Sequence, residues 1–159
     1  MTNGSIQSSI SQLSATPNLL RELLSAMDSV KLRTKPAPSL FSPLEDAWHL
    51  RDIEREGYLI RIQRILAERS PVLVELDGDQ MAVARRYNER ELAPALEEFA
   101  CARVESIRLL KGLPPEAWAR PAHFANRTVD LRELIEMMVE HDRGHVSSIR
   151  GVHVASAAA

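Results

Sequence analysis

Proline clusters partition this chain more firmly than any other feature. "RTKPAPSLFSP" at 33–43 and "LPPEAWARPAHFANR" at 113–127 each hold three prolines. Proline lacks an amide hydrogen and fixes its own φ, so neither stretch can run as a regular helix or a central strand. Around them, apolar residues recur at three- and four-residue steps, the period of helices buried along one face.

Four such helices are predicted. The first covers about 17–28, with Thr16 as its cap, Pro17 at the first helical position and Leu19, Leu20, Leu23 and Leu24 following. The second starts after Ser42, where Pro43 takes the first position and Glu45 the third, and runs to about Arg69 because the next proline is Pro71. "DGD" at 77–79 marks a turn in the loop beyond. The third spans about 89–111, on a stripe of Leu92, Leu96, Phe99, Arg103, Ile107 and Leu110, and stops at Gly112; Pro94 implies either a later start or a kinked first turn. The fourth begins near Thr128 as cap and carries Leu131, Leu134, Ile135, Met138, Ile149 and Val152. Residues 113–127 read as an ordered excursion with a short turn at 116–118, and "PVLVELDG" is the one strand-like segment, too isolated to build a sheet. The expected fold class is all-α, a four-helix bundle with two long connections in a single domain over 1–159, with 1–15 and 154–159 flexible.

The chain's 20 basic and 22 acidic side chains leave a formal net charge of -2, so no electrostatic excess points to nucleic acid or an anionic membrane surface. One cysteine, Cys101, cannot close an intramolecular disulfide, and "MTNGSIQSSISQLSA" lacks the basic and apolar regions of a signal peptide. No apolar run approaches the roughly 20 residues a bilayer requires. These features lead to the expectation of a cytoplasmic protein without nucleic-acid or membrane partners. Aromatic residues make up 4%, so aliphatic side chains and methionine must fill most of the core.

"VEHDRGHVSSIR" places His141 and His145 one helical turn apart, with Asp142 between them. On a wheel advancing about 100 degrees per residue, Asp142 lies about 15 degrees and His145 about 45 degrees from the apolar stripe, with His141 at its edge. Titratable groups leaning inward are costly unless something compensates them. Two histidines at this spacing project from one face, as a metal requires; hydrogen-bonded core histidines or surface histidines give the same pattern. A third ligand must come from elsewhere. His49 is better placed than His123 in the excursion or His153 in the tail, because bundle metal sites are built from facing helices. Glu45, Asp52 and Glu56 are available as acceptors for its free ring nitrogen.

Arg103 interrupts the third helix's leucine stripe and demands an acidic partner, for which Asp142 and Glu56 are candidates. It is either a structural ion pair or an anchor for an anionic substrate. Cys101 reads as a small core residue, Trp48 and Trp118 as packing residues, and His123 as a loop histidine or an additional ligand or acid.

The segments "TPNLLRELL", "SPLEDAWHLRDIE", "RYNERELAPALEEFACARVESIRLLKGLPPEAWARPAHF" and "TVDLRELIEMMVEHDRGHVSSIR" resemble, in order, the DinB-like superfamily of damage-inducible and YfiT-type proteins. The resemblance implies a four-helix bundle holding a divalent metal on three histidines, which carry over to His49, His141 and His145. "HFANRTVDLRELI" departs from the pattern, with Ala125 and Asn126 where relatives often show a glycine. Three imidazoles leave a coordination position open, and zinc, nickel or iron would fit. The activities the resemblance implies are thiol-dependent transfer with a low-molecular-weight thiol, or metal-dependent hydrolysis. The expected partner is a small-molecule substrate, with a homodimer plausible and Asp142 and Arg103 as candidate catalytic or tuning residues. The competing expectation is a non-catalytic helical module in which metal or dimerisation is structural.

Overall fold

The computed structural model describes residues 3–151. In chain order it contains α1 (Asn3–Ser25), α2 (Ser29–Arg33), α3 (Pro43–Asp52), a π-helical turn (Ile53–Tyr58) and α4 (Leu59–Ala67). After these come α5 (Gly78–Ala84), a 3₁₀ turn (Tyr87–Glu89), α6 (Leu92–Leu110), a second 3₁₀ turn (Pro115–Ala119), β1 (Pro121–Phe124), β2 (Arg127–Asp130) and α7 (Leu131–Ile149). Four rods form the bundle: α1, the continuous α3–π–α4 helix, α6 and α7. Both α1 and α3 pack against α6 and α7. Among the described residues no helix is long and apolar enough to cross a membrane.

The second rod starts as its sequence dictates. Ser42 accepts from the Glu45 amide, the Glu45 carboxylate accepts from the Ser42 amide, and Pro43 fills the first position. The third rod starts at Leu92 rather than near Glu89, so Pro94 falls in the first turn, where its missing amide has no intrahelical acceptor to lose. Gly112, with φ 75°, ends that rod as expected.

The first helix departs from expectation. It starts at Asn3 rather than near Pro17, and residues expected to be flexible carry Ile10 and Leu13 into the core. Pro17 therefore lies inside a helix, where it cannot donate to the Leu13 carbonyl four residues earlier. Arg103 on α6 supplies the replacement, its Nη1 donating to Leu13 O at 2.9 Å. Thr16 does not cap a helix start; its hydroxyl donates to Asp142 at 2.7 Å.

The excursion before α7 holds a two-stranded antiparallel hairpin that sequence periodicity did not reveal, because strands of four residues are too short to show alternation. "PVLVELDG" lies beside it: the Leu73 amide donates to His123 O and the His123 amide to Pro71 O, both at 2.8 Å. The hairpin's two-residue turn is Ala125–Asn126, with φ 50° and 60°. This left-handed pair is the type I′ geometry that favours glycine. β2 delays the last helix, whose cap is Asp130 in a capping box with Glu133, not Thr128. Val152, His153 and the tail lie outside the described residues.

Two apolar clusters fill the bundle. One gathers Leu13, Ile62, Ile65, Leu110, Trp118 and Leu134, and the other Leu20, Leu44, Trp48, Phe99, Val146 and Ile149. Between them lies a polar layer. Arg103, only 2% exposed, donates to both Asp142 oxygens at 2.7 and 3.0 Å and to Glu54 Oε2 at 2.9 Å, while Ser106 donates to Glu54 Oε1 at 2.6 Å. Burial alone would lower the Arg103 pKa, but Glu54 and Asp142 outweigh it and raise it. Glu54, not Glu56, is thus its second acidic partner; Glu56 binds Arg85 instead. Trp48 and Trp118 pack in the core as expected, whereas Cys101 is exposed, since α6 buries Phe99, Ala102, Arg103 and Ser106 and turns position 101 outward.

Candidate metal centre

Where α3 faces α7, His49, His141 and His145 converge. Each offers one ring nitrogen, and these atoms lie within 4.8 Å of one another. The i, i+4 spacing on α7 brings the rings of His141 and His145 to 4.6 Å between centroids. His49 meets them from α3, its ring 4.4 Å from that of His145 and 5.1 Å from that of His141. Of the histidines weighed from sequence, His49 is the one the fold brings to the α7 pair. His123 is elsewhere, its ring within 3.4 Å of Ser70 and Thr128 hydroxyls.

The chemistry of this donor set suits a cation. Burial, reinforced by His145, lowers the His49 pKa from 6.5 to about 3; burial, with His145, His49, Arg103 and Arg61 adding to it, holds His141 well below its ordinary value. Both rings are therefore neutral at physiological pH and keep a lone pair. His49 Nε2 and His141 Nε2 face each other at 3.0 Å. A tetrahedral ion with nitrogen ligands at about 2.0–2.1 Å would place them about 3.3 Å apart, close to what is observed.

The third ring is oriented by a carboxylate. Asp46 Oδ1 lies 2.6 Å from His145 Nδ1, and Ser148 donates to Asp46 Oδ2 at 2.9 Å. An ionised carboxylate can only accept, so Nδ1 carries a proton and Nε2 is the ring atom left to face the cluster. This is the carboxylate–histidine arrangement common around bound metals.

His49 is fixed differently. None of Glu45, Asp52 or Glu56 binds its ring. Glu45 closes the capping box and pairs with Lys35, Asp52 accepts from Arg51, Arg85 and Tyr87, and Glu56 pairs with Arg85. His49 Nδ1 is sealed with no hydrogen-bond partner. Gly78, opening α5, covers that edge: a Cβ there would stand 2.3 Å from His49 Cε1 and 2.7 Å from Nδ1. Only Nε2 remains available to an ion, which fits a site that uses it.

Asp142 and Arg103, the candidate catalytic residues, belong to the polar layer. Both Asp142 oxygens accept from Arg103, and Oδ2 also accepts from Thr16. The layer adjoins the histidines, since Asp142 directly follows His141 on α7. Phe41 covers the outer side, its ring stacked 6.3 Å from His145, and Tyr58 packs 5.8 Å from His141.

A sequence profile of the DinB superfamily matches residues 12–149. The chain belongs to the DinB superfamily. No curated protein sequence matches it significantly. Among solved structures, this DinB-superfamily chain is similar in fold to YfiT from Bacillus subtilis, described as a probable metal-dependent hydrolase with an unusual four-helix bundle topology. The TM-score is 0.89 at 18% identity, covering 96% of this chain and 87% of YfiT. The all-α, DinB-like bundle expected from sequence is thereby established.

Asp46, Ser148 and Gly78 were not singled out from sequence. Asp46 had a signal, since it lies three residues before His49 and shares its helix face. Gly78 had none, because only the folded loop brings "DGD" against α3.

Proposed function

We propose that this chain is a metal-dependent enzyme in which His49, His141 and His145 hold a divalent transition ion (zinc, nickel or iron) and leave a coordination position open to a reactant. The convergence of three imidazole rings from two facing helices carries the proposal. When bound, such an ion supplies Lewis acidity, polarising a carbonyl or lowering the pKa of a coordinated water or thiol.

The chain's own residues prepare that site. Asp46 fixes the His145 tautomer so that Nε2 points into the cluster, and Ser148 steadies Asp46. Burial keeps His49 and His141 unprotonated. Gly78 blocks the wrong edge of His49, and Phe41 limits water on the His145 side. The Arg103–Asp142–Glu54 layer anchors the helix segment bearing His141 and His145, so Asp142 and Arg103 act as positioning residues.

Hydrolysis is the first reading, supported by the description of YfiT. Transfer involving a low-molecular-weight thiol is the second, favoured by one observation. Among the described residues, the carboxylates nearest the cluster, Asp46, Asp52 and Asp142, are already bound to other groups. No free carboxylate stands ready as a general base, and a thiol, more acidic than water, needs that help least. Assays of metal-replete protein against ester, amide and thiol-conjugation substrates, each with a His145→Ala control, test the proposal. Turnover lost in the variant is expected; turnover unchanged by it would overturn the assignment.

A further inference from the structure

Arg61 on α4 is 6% exposed and, among the described residues, is the one buried charged side chain with neither an opposite charge nor a histidine within ion-pair distance. Glu45 has Lys35, Asp46 has His145, Asp52 has Arg51 and Arg85, and Glu54 and Asp142 have Arg103. Glu75 influences Arg61 only from longer range. A buried cation with no opposite charge beside it is costly, and an anion would supply the compensation it lacks.

The guanidinium is also held in a defined pose. Nε and Nη2 both donate to the Val74 carbonyl, at 3.2 and 2.9 Å. Its carbon lies 4.5 Å from the Phe124 ring centroid and 5.3 Å from that of Tyr58. Gly57 packs beside it, a Cβ there standing at ordinary contact distance, 3.4 Å, from Nη1. One side of the fork is therefore occupied, while Nη1 makes no hydrogen bond. Nη1 is not among the fully sealed polar atoms that lack a partner.

The π turn aims this group. His49 and Arg61 are twelve residues apart in sequence, which in a regular helix would leave them about 120 degrees apart around the axis. The extra residue absorbed by the π turn reduces that to about 20 degrees. Arg61 therefore faces the side of the rod that His49 faces, and the Tyr58 ring packs against both the guanidinium, at 5.3 Å, and the His141 ring, at 5.8 Å.

From this geometry we propose that Arg61 binds the carboxylate of a small-molecule substrate, laying it across Tyr58 with its reacting group at the histidine cluster. The free end of the fork, Nη1 with the remaining Nη2 hydrogen, matches a planar carboxylate in bidentate fashion. A single cation with Glu75 in the vicinity favours a monoanion over a doubly charged phosphate. The orientation toward the cluster rests on the metal-dependent reading; the anion site itself does not.

The test uses metal-free full-length protein at fixed ionic strength, titrated with acetate, propionate and inorganic phosphate and followed by NMR of the arginine guanidinium groups. Saturable shifts of the Arg61 resonance with the carboxylates are expected, at least tenfold tighter than with phosphate. Arg61→Lys, which keeps the charge but loses the planar fork, should weaken carboxylate binding at least tenfold with an unchanged fold. Arg61→Met should abolish it while still binding a divalent ion, which separates failure of this site from failure of the histidine site. An unshifted Arg61 resonance in the wild-type protein, tighter phosphate than carboxylate binding, or equal affinity in Arg61→Lys would each overturn the proposal.

Discussion

Gly78 presses its backbone against His49 so closely that a single added methyl would stand 2.3 Å from the ring's Cε1. The absence of a side chain there is what lets α5 cover the inner edge of the histidine. Glycine to alanine within a helix ordinarily stabilises by about 0.5–1 kcal/mol. Gly78→Ala is expected to do the reverse, displacing the ring, lowering the melting temperature and weakening divalent-metal affinity at least tenfold. Thermal melts and competition with a chromophoric chelator measure both.

Asp46 and His145 form the second critical pair. Asp46→Asn removes the charge that orients the His145 ring while preserving size. Substitutions of this kind typically cost about 10–100-fold in metal affinity, and a loss in that range is expected. Ser148→Ala should produce a smaller loss, because it removes one of the bonds that hold Asp46. The same chelator competition ranks the variants.

Metal-free protein should lose stability in mild acid. His49 titrates at about 3 when folded and near 6.5 when unfolded, and His141 is depressed in the same direction. The unfolded chain therefore binds more protons through this window, and stability must rise with pH across it. The contribution is fully present above about pH 6.5 and is lost as pH falls toward 3, with a limiting slope of about 1.4 kcal/mol per pH unit for each fully effective histidine. Urea denaturation between pH 4 and 7 should show this slope, reduced in His141→Gln.

The bundle was legible in sequence where local chemistry decides the outcome. Ser42, Pro43 and Glu45 announced a helix start, and Gly112 announced a stop. The convergence of His49 with His141 and His145 followed from helix periodicity and from the rule that ligands face each other across a bundle. Long-range compensation was not legible. Pro17 looked like a helix start because proline is normally excluded from helix interiors, and nothing local revealed that Arg103 would take up the Leu13 carbonyl. The π turn likewise left Glu56 looking like the inward acid, because the extra residue it absorbs breaks the regular phase on which that reading relied. The short hairpin escaped because its turn is Ala–Asn rather than a glycine pair.

That turn yields its own expectation. Ala125 sits at φ 50°, a conformation costing a residue with a Cβ about 1–2 kcal/mol. Ala125→Gly removes the strain but adds backbone entropy to the unfolded chain, so a net gain of about 0.5–1 kcal/mol is expected. Differential scanning calorimetry would read it as a higher melting temperature with unchanged metal affinity, since the hairpin contributes no residue to the His49–His141–His145 cluster.

The most direct test of the site is metal stoichiometry in protein purified without nickel resin. The account requires one divalent ion per chain, with affinity falling at least a hundredfold in both His49→Ala and His145→Ala. No uptake by the wild-type protein, or uptake equally tight after either histidine is removed, would contradict it.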